Sequence, residues 1–309
     1  MRVAEPVALA ALAIEAAVGW PAWLYARVGH PVGGIARAIG WCEGRWNRAG
    51  RARRLLGAMT VLLVVGIAGG LAALAESVVR ALGLGWAGVA VLAWPALAQR
   101  SLYDHVRPVA DALERDELAA ARVAVGMIVG RDTAVLDEAA VGRAAVESLA
   151  ESFCDGVVAP LFWLLVGGLP GVWAYKAINT ADSLIGHREE RWRLFGWAAA
   201  RIDDVANWIP ARIGAVLICL AGGGGWRVMW RDARRHASPN AGWTEAAMAG
   251  ALGLKLAGPV VYDGVASAKE WIGDGRAAVT ARDLRRALGV FVRACVLLWI
   301  VAGGVAWLR

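Results

Sequence analysis

Charged residues are scarce in this chain, and the signatures of many common soluble functions are missing with them. Of its 309 residues, 19% are charged and 59% hydrophobic, against about 25% and 45–50% in soluble domains. That deficit, with a mean hydropathy of +0.50, excludes an ordinary soluble globule. Apolar and charged blocks alternate from end to end, which favours one membrane body with polar loops over two soluble domains. Only four cysteines are present (Cys42, Cys154, Cys219, Cys295), with no C-x-x-C pair. This excludes a disulfide framework and a zinc site. No G-x-x-x-x-G-K-[ST] loop occurs, so any nucleotide is held in another way. "GLGWAG" (Gly83 to Gly88) fits G-x-G-x-x-G but falls in a turn between two apolar segments, where that pattern carries no weight. Glu5, Pro6 and Glu15 interrupt the first apolar run, so no cleaved signal peptide is expected. Phe and Tyr are few, four each against 17 Trp, a bias that suits many membrane–water boundaries.

What is present are the apolar blocks. Residues 7–25 form a first apolar helix, 55–75 are long enough to span, and 86–99 read as the return arm of a hairpin. Residues 157–178 are apolar but carry "GGLPG". Such breakers predict two half-helices, and a re-entrant hairpin would bring the chain back to the side it left. Residues 209–225, 247–261 and 289–308 are apolar again. The polar segments are 26–54, 100–156, 179–208, 226–246 and 262–288. The expected fold is therefore all-α: a polytopic membrane helical bundle of about four to five spans, one domain over 1–309, with a polar helical layer on the cytoplasmic side.

The net charge of +7 is mostly arginine, concentrated in "GRWNRAGRARRLL" (Gly44 to Leu56) beside the strongest apolar run. The positive-inside rule explains such a cluster better than nucleic-acid binding does. The basic stretch 226–236, "WRVMWRDARRH", belongs inside by the same rule. A single crossing at 209–225 would place it outside, so either that segment is re-entrant or interfacial, or the rule is broken here.

Three polar groups each abut an apolar segment. Arg143, Glu147, Glu151 and Asp155 recur every four residues, which puts them on one broad helix face. Asn179 and Asp182 lie at i, i+3 with Lys176 beside them; Asp203, Asp204 and Asn207 share a face flanked by Arg201 and Arg212. Each group alone reads equally well as a solvated surface. Three at membrane boundaries point to a site, because ionisable groups at that depth are costly. Their carboxylates suit Mg²⁺, which takes oxygen ligands and shares its shell with phosphates. Arg131, Lys176, Arg201 and Arg212 would meet phosphate oxygens. The set has the character of phosphate-transfer or ATP-coupled chemistry at a membrane surface. His30 before Pro31 reads as structural, and "ASPNAGWTE" reads either as a helix cap or as an anion seat at Asn240.

"HPVGGIARAIGWCEGRWNR", "SLYDHVRPVADAL", the long block from "VGRDTAVLDEAAVGRAAVESLAESFCDG" to "RIDDVANWIPARI", and "SPNAGWTEAAMAGALGLKLAGPVVYDG" resemble the CobD/CbiB family of cobalamin biosynthesis, in order from about residue 30 to 264. The resemblance implies an integral membrane adenosylcobinamide-phosphate synthase at the cell (inner) membrane, its active site facing the cytoplasm. Such enzymes form an amide between adenosylcobyric acid and (R)-1-amino-2-propanol, usually as its phosphate ester, with ATP and Mg²⁺. It further implies Glu147, Glu151, Asp155, Asp182, Asp203 and Asp204 as the catalytic set, with metal ligands among Glu147, Glu151, Asp155 and Asp204. Asn179 and Asn207 would orient substrate, and His30, Arg131, Lys176, Arg201, Arg212 and Asn240 would contact it. Implied partners are the corrinoid, the amino-alcohol phosphate and the bilayer, with no nucleic acid; homo-oligomer and pathway-enzyme contacts stay open. Two departures stand out: Glu151-Ser152 where the family reads Glu-Asn, and an acidic N-terminal element reduced to Glu15.

The competing expectation is a non-enzymatic membrane signalling protein of the related β-lactamase-induction type. The intact acidic set disfavours it. A CDP-lipid alcohol phosphotransferase is disfavoured too, because Asp155-Gly156 is followed by Val-Val-Ala-Pro rather than that family's pattern.

Overall fold

The computed structural model describes residues 6–48, 50, 52–130, 132–258, 260–262, 265–267 and 270–308. In chain order the helices are α1 (Val7–Val18), α2 (Ala22–Val28), α3 (Pro31–Trp46), α4 (Arg53–Ala81), α5 (Gly85–Ala93), α6 (Gln99–Glu114), α7 (Leu118–Gly126), α8 (Glu138–Phe153), α9 (Ala159–Ile185), α10 (Trp197–Ala206), α11 (Trp208–Gly222), α12 (Trp226–Asp232), α13 (Ala241–Leu252) and α14 (Ala281–Leu308). Among the described residues the strands are β1 (Leu256–Ala257), β2 (Val260–Tyr262), β3 (Val265–Ser267) and β4 (Trp271–Ile272).

The fold is helical, as expected of a polytopic membrane protein. Among the described residues three helical stretches are long and apolar enough to cross a membrane: Arg53–Ala81, Glu138–Ile185 and Ala281–Trp307. The count rises to five if two broken pairs, Val7–Val18 with Ala22–Trp46 and α10 with α11, each make one crossing.

The sequence-predicted spans differ from the observed ones in instructive places. The apolar run 7–25 is not one helix: Gly19, at φ 60°, and Pro21 end α1 and set a new direction, 104° away, for the stretch from Ala22. The expected return arm 86–99 yields only the 9-residue α5, closed by a 3₁₀ turn over Trp94–Ala96. Nine residues rise about 14 Å, half of the roughly 30 Å hydrocarbon core. α5 alone is therefore too short to cross the bilayer. The break in "GGLPG" is present: Gly168 adopts φ 62° and ψ −156°, and Pro170 follows in α9. The two short sheets were not foreseen. β2 and β3 pair antiparallel with Tyr262 opposite Val265.

The chain forms two compact units. The first comprises residues 1–98, 159–207 and 302–309; the second comprises 99–158 and 208–301. In the first, α4 packs against α9, and α3 and α10 close around them. Its core gathers Ile39 of α3, Val61 and Val64 of α4, Ala177, Ala181 and Ile185 of α9, and Phe195. Gly57 is the point of closest approach: a Cβ there would collide with the Phe195 carbonyl. Small residues at such contacts let membrane helices come together. The 186–196 loop is fastened by Arg53, which donates to the Arg191 and Glu190 carbonyls, and by Glu43, which accepts from Arg191 and the Trp192 indole.

In the second unit α13 is the central helix, contacting α8, α11 and α12, and Phe153 packs edge-on against Phe291 at 5.7 Å. β1 and β4 pair Leu256 with Ile272. That region is tied down by Asp232, whose fully buried carboxylate takes Arg231, Arg235 and the Gly273 N–H.

Candidate active site

In the first unit, α9 and α10 bring together two of the three polar groups. Tyr175, Asn179 and Asp182 fall on one face of α9 by their spacing. The Tyr175 hydroxyl donates to Asn207 Oδ1 at 3.0 Å, Asn207 Nδ2 donates to Asp203 Oδ2 at 3.0 Å, and Asn179 Nδ2 reaches Asp203 Oδ1 at 3.5 Å. Asp203 is 7% exposed and Asn207 1%. Asp182 lies close enough to act on Asp203 electrostatically. A buried carboxylate is tolerable only when its lone pairs are met, and two amides oriented by a tyrosine meet them here. Asp204, the next residue, points elsewhere and pairs with Arg201 at 3.0 Å. His30 caps α3, its Nδ1 accepting from the Val32 N–H at 3.2 Å, and lies within electrostatic reach of Lys176.

The third group forms a stripe in the second unit. Asp137 caps α8 by accepting from the Ala140 N–H at 2.7 Å. From Val141 to Pro160, the only positions that are not buried are Arg143, Glu147, Ser148, Glu151, Ser152 and Asp155. They recur in steps of three and four along one edge of an otherwise enclosed helix. Glu151 is the exposed member and the others are half-buried. A π-helical turn, Cys154–Val158, follows α8 and carries Asp155. Such turns cluster at functional sites. Glu147 Oε1 accepts from the Ala257 N–H at 2.8 Å, and Arg143 donates to the Ala277 carbonyl at 2.8 Å.

The Arg212 guanidinium lies over the Trp208 and Trp243 rings, 4.6 and 4.8 Å from their centroids. It donates to the Trp208 carbonyl, to Asn240 Oδ1 at 2.7 Å and to the Pro239 carbonyl. Both terminal nitrogens are engaged, so Arg212 anchors the Ser238–Asn240 loop. At that loop Ser238 Oγ accepts from the Asn240 and Ala241 N–H groups, which is a helix cap. Of the expected metal ligands, Glu147, Glu151 and Asp155 belong to the second unit and Asp204 to the first. Among the described residues no three His, Cys, Asp or Glu side chains gather into a metal cage. Mg²⁺ nevertheless fits the donors on α8, since it binds through one or two carboxylates and leaves the rest of its shell to water and phosphate. Arg131 lies outside the described residues.

Sequence reasoning missed Tyr175, Trp208 and Trp243. Tyr175 had a signal, the i, i+4 spacing to Asn179. The tryptophans had none beyond their number.

The fold and these side chains define a polytopic helical membrane protein that displays carboxylates along one helix and buries another inside an amide network. The chain belongs to the CobD/Cbib protein family, whose model matches residues 8–291. It is 50% identical over 302 residues to the cobalamin biosynthesis protein CobD of Rhodobacter capsulatus, covering 96% of this chain and 95% of that one. It is 48% identical to a protein of the same name from a Sinorhizobium species, with 93% and 94% covered. Against that of Brucella suis biovar 1 the identity is 46%, with 91% and 90% covered. No solved structure matches.

Proposed function

We propose that the chain acts in cobalamin biosynthesis as an ATP-dependent amide ligase. It joins adenosylcobyric acid to (R)-1-amino-2-propanol or its phosphate ester and yields adenosylcobinamide or its phosphate. The observation that carries this reading is the α8 stripe, where Glu147, Glu151 and Asp155, with Arg143, Ser148 and Ser152 beside them, stay open along one edge while the other positions from Val141 to Pro160 are buried. Acids kept in that way are placed to meet a ligand.

The reaction needs two steps. An oxygen of the substrate carboxylate attacks the γ-phosphorus of ATP, forming an acyl phosphate and releasing ADP. The amine then attacks the acyl carbon, and phosphate leaves as the amide forms. Mg²⁺, when bound, neutralises phosphate charge as these bonds change. Glu151 and Asp155 would hold it, with Glu147 fixed by the Ala257 N–H at the head of the stripe. The ammonium group must lose a proton before it attacks, and carboxylates are the acceptors at hand. Within the first unit, Asn179 and Asn207 keep Asp203 in one orientation, which holds that carboxylate rigid. The active site faces the cytoplasm in this reading, in keeping with the arginines that flank α4.

The test is an assay of detergent-purified protein with adenosylcobyric acid, Mg-ATP and aminopropanol phosphate, read by mass spectrometry of the corrinoid. The wild type forms the amide, and Glu151→Gln loses it by about 100-fold or more while melting unchanged. Wild-type protein that makes no amide, or a fully active Glu151→Gln, overturns the reading.

A further inference from the structure

In the second unit, α11 has one face packed and one face bare. Ala211, Gly214, Ala215, Ile218 and Cys219 are buried, with Gly214 set against Thr244 and Gly222 against Ala251 of α13. The opposite face carries Ile209, Ile213, Val216 and Leu220, all exposed, Leu220 by 55%. They recur at i, i+4, i+7 and i+11, which makes one apolar stripe along the helix.

The chain that leaves along α11 comes back beside its start. The Cys219 thiol donates to Met229 Sδ at 3.8 Å, so α12 runs back against α11. Trp230 then packs edge-on against Trp243 at 5.1 Å, and the Trp243 ring lies under Arg212, near the beginning of α11. A segment that returns in this way delivers the basic residues 226–236 to the side from which α11 set out.

Cations mark both ends of the stripe. Arg212, over the Trp208 ring, marks the first. At the other end Arg293 Nε donates to the Ala221 carbonyl at 2.8 Å, and Arg227 is exposed just beyond. Arg293 is the last charged residue of α14 before the uncharged run 294–308, which lies in a stretch able to cross a membrane. The stripe is thereby tied to the point where α14 enters lipid. The 15 residues of α11 rise about 22 Å, short of the roughly 30 Å hydrocarbon core. Set end-on, α11 would sink one of its flanking arginines into hydrocarbon, which is costly. Lying flat, it keeps both ends among the headgroups and turns the stripe to the acyl chains.

We propose that α11 is an in-plane membrane anchor. It lies on the bilayer surface at which α14 enters, its apolar stripe in the acyl chains and Arg227 and Arg293 at the headgroup phosphates. The exposed Trp208 and Trp230 rings sit in the same headgroup layer. The segment 208–240 is then a hairpin held on one side of the membrane and not a crossing. This goes beyond the ligase reading and does not depend on it.

Sided labelling and label depth test it on the full chain. The native cysteines are buried, so the unsubstituted chain serves as the blank. Val205→Cys lies three residues before Trp208 in the chain and Arg234→Cys just past α12, and both positions are exposed. In right-side-out and inverted membrane vesicles, a membrane-impermeant maleimide should reach both from the same side. A spin label at Val216→Cys, in vesicles of phosphatidylethanolamine and phosphatidylglycerol, should meet oxygen more readily than a water-soluble nickel chelate. It should lie about 5–10 Å below the phosphates. Leu220→Cys gives the same reading if Val216→Cys fails to fold. Labelling from opposite sides, or a label near the midplane about 15 Å into the core, means that α11 crosses and overturns the proposal. A label more open to the nickel chelate than to oxygen means that the stripe faces water, and overturns it as well.

Discussion

Asn207 turns a different atom to each of two neighbours: its Oδ1 accepts from the Tyr175 hydroxyl, and its Nδ2 donates to Asp203. Tyr175 thereby fixes which way the amide faces, and the amide in turn presents a donor to a buried carboxylate. Asn207→Asp replaces that donor with a second acceptor of negative charge. The expected result is loss of amide product by about 100-fold or more, with a lowered melting temperature. Tyr175→Phe leaves Oδ1 without its partner and should cost about 1–3 kcal/mol of stability. Product formation at low temperature should largely survive that change. Corrinoid mass spectrometry and a melting curve measure both. An Asn207→Asp protein equal to wild type in both would remove this network from the site.

Arg212 should behave as a structural residue. Lysine cannot stack flat over two indoles or reach three acceptors at once, so Arg212→Lys is expected to lose about 1–3 kcal/mol. Turnover per folded molecule should stay within about twofold of wild type. A large loss of turnover without loss of stability would show that the guanidinium contacts substrate. Thermal melting and the corrinoid assay on the same preparation separate these outcomes.

Asp232 carries a pH dependence. Hydrogen bonds from Arg231 hold its carboxyl below the ordinary carboxylate value, against the opposing effect of burial; the Gly273 N–H and the charge of Arg235 act in the same direction as Arg231. Its folded-state pKa is thus depressed, so its stabilising contribution is full above the ordinary value near 4. It is lost as pH falls below that value and through the folded one. Melting temperature should be flat in this respect above about pH 5 and should decline below about pH 4. Asp232→Asn should flatten that acid limb and cost about 3–5 kcal/mol at neutral pH, because it leaves two arginines facing an uncharged partner. The four buried cysteines make a thiol-reactive dye a suitable reporter, since unfolding exposes them. An acid limb unchanged in the variant would assign it to other carboxylates.

Two glycines of α4 give a controlled comparison. At Gly57 an added Cβ strikes the Phe195 backbone, whereas at Gly66 it meets nothing within 4 Å. Gly57→Ala should cost about 1–3 kcal/mol through overpacking. Gly66→Ala should be neutral or slightly stabilising, since alanine favours helix. Folded yield and melting temperature should rank the two in that order. Equal effects would mean that the 186–196 loop does not pack against α4.

The sequence made the largest features legible for reasons that lie within single segments. α4 and α14 announced themselves by length and hydropathy. The α8 stripe followed from spacing alone, as did the break at Gly168, where glycine and proline meet. The shortness of α5 was hidden because hydropathy does not report where a helix ends; Pro95 and the 3₁₀ turn end it. The strands were hidden because two- and three-residue pairs are too short to show alternation. The fate of Arg212 could not be read at all. Its two rings come from one neighbour four residues back and another on α13, and only tertiary structure unites them.

The first unit is assembled from three separate stretches of chain, with Val61 and Ala177 in one core. A ribosome that has finished α4 has therefore not finished anything that can close. The 77 residues from 82 to 158, among them the opening helices of the second unit, must emerge before α9 begins. At about 5–20 residues per second, α4 waits for many seconds in the bilayer with its small-residue face unmatched. Folding cannot run from one end to the other as two beads on a string, and no single cut separates the units into fragments that each hold a whole core. Split-protein complementation and domain-by-domain expression, routine for modular enzymes, should both fail here for that reason.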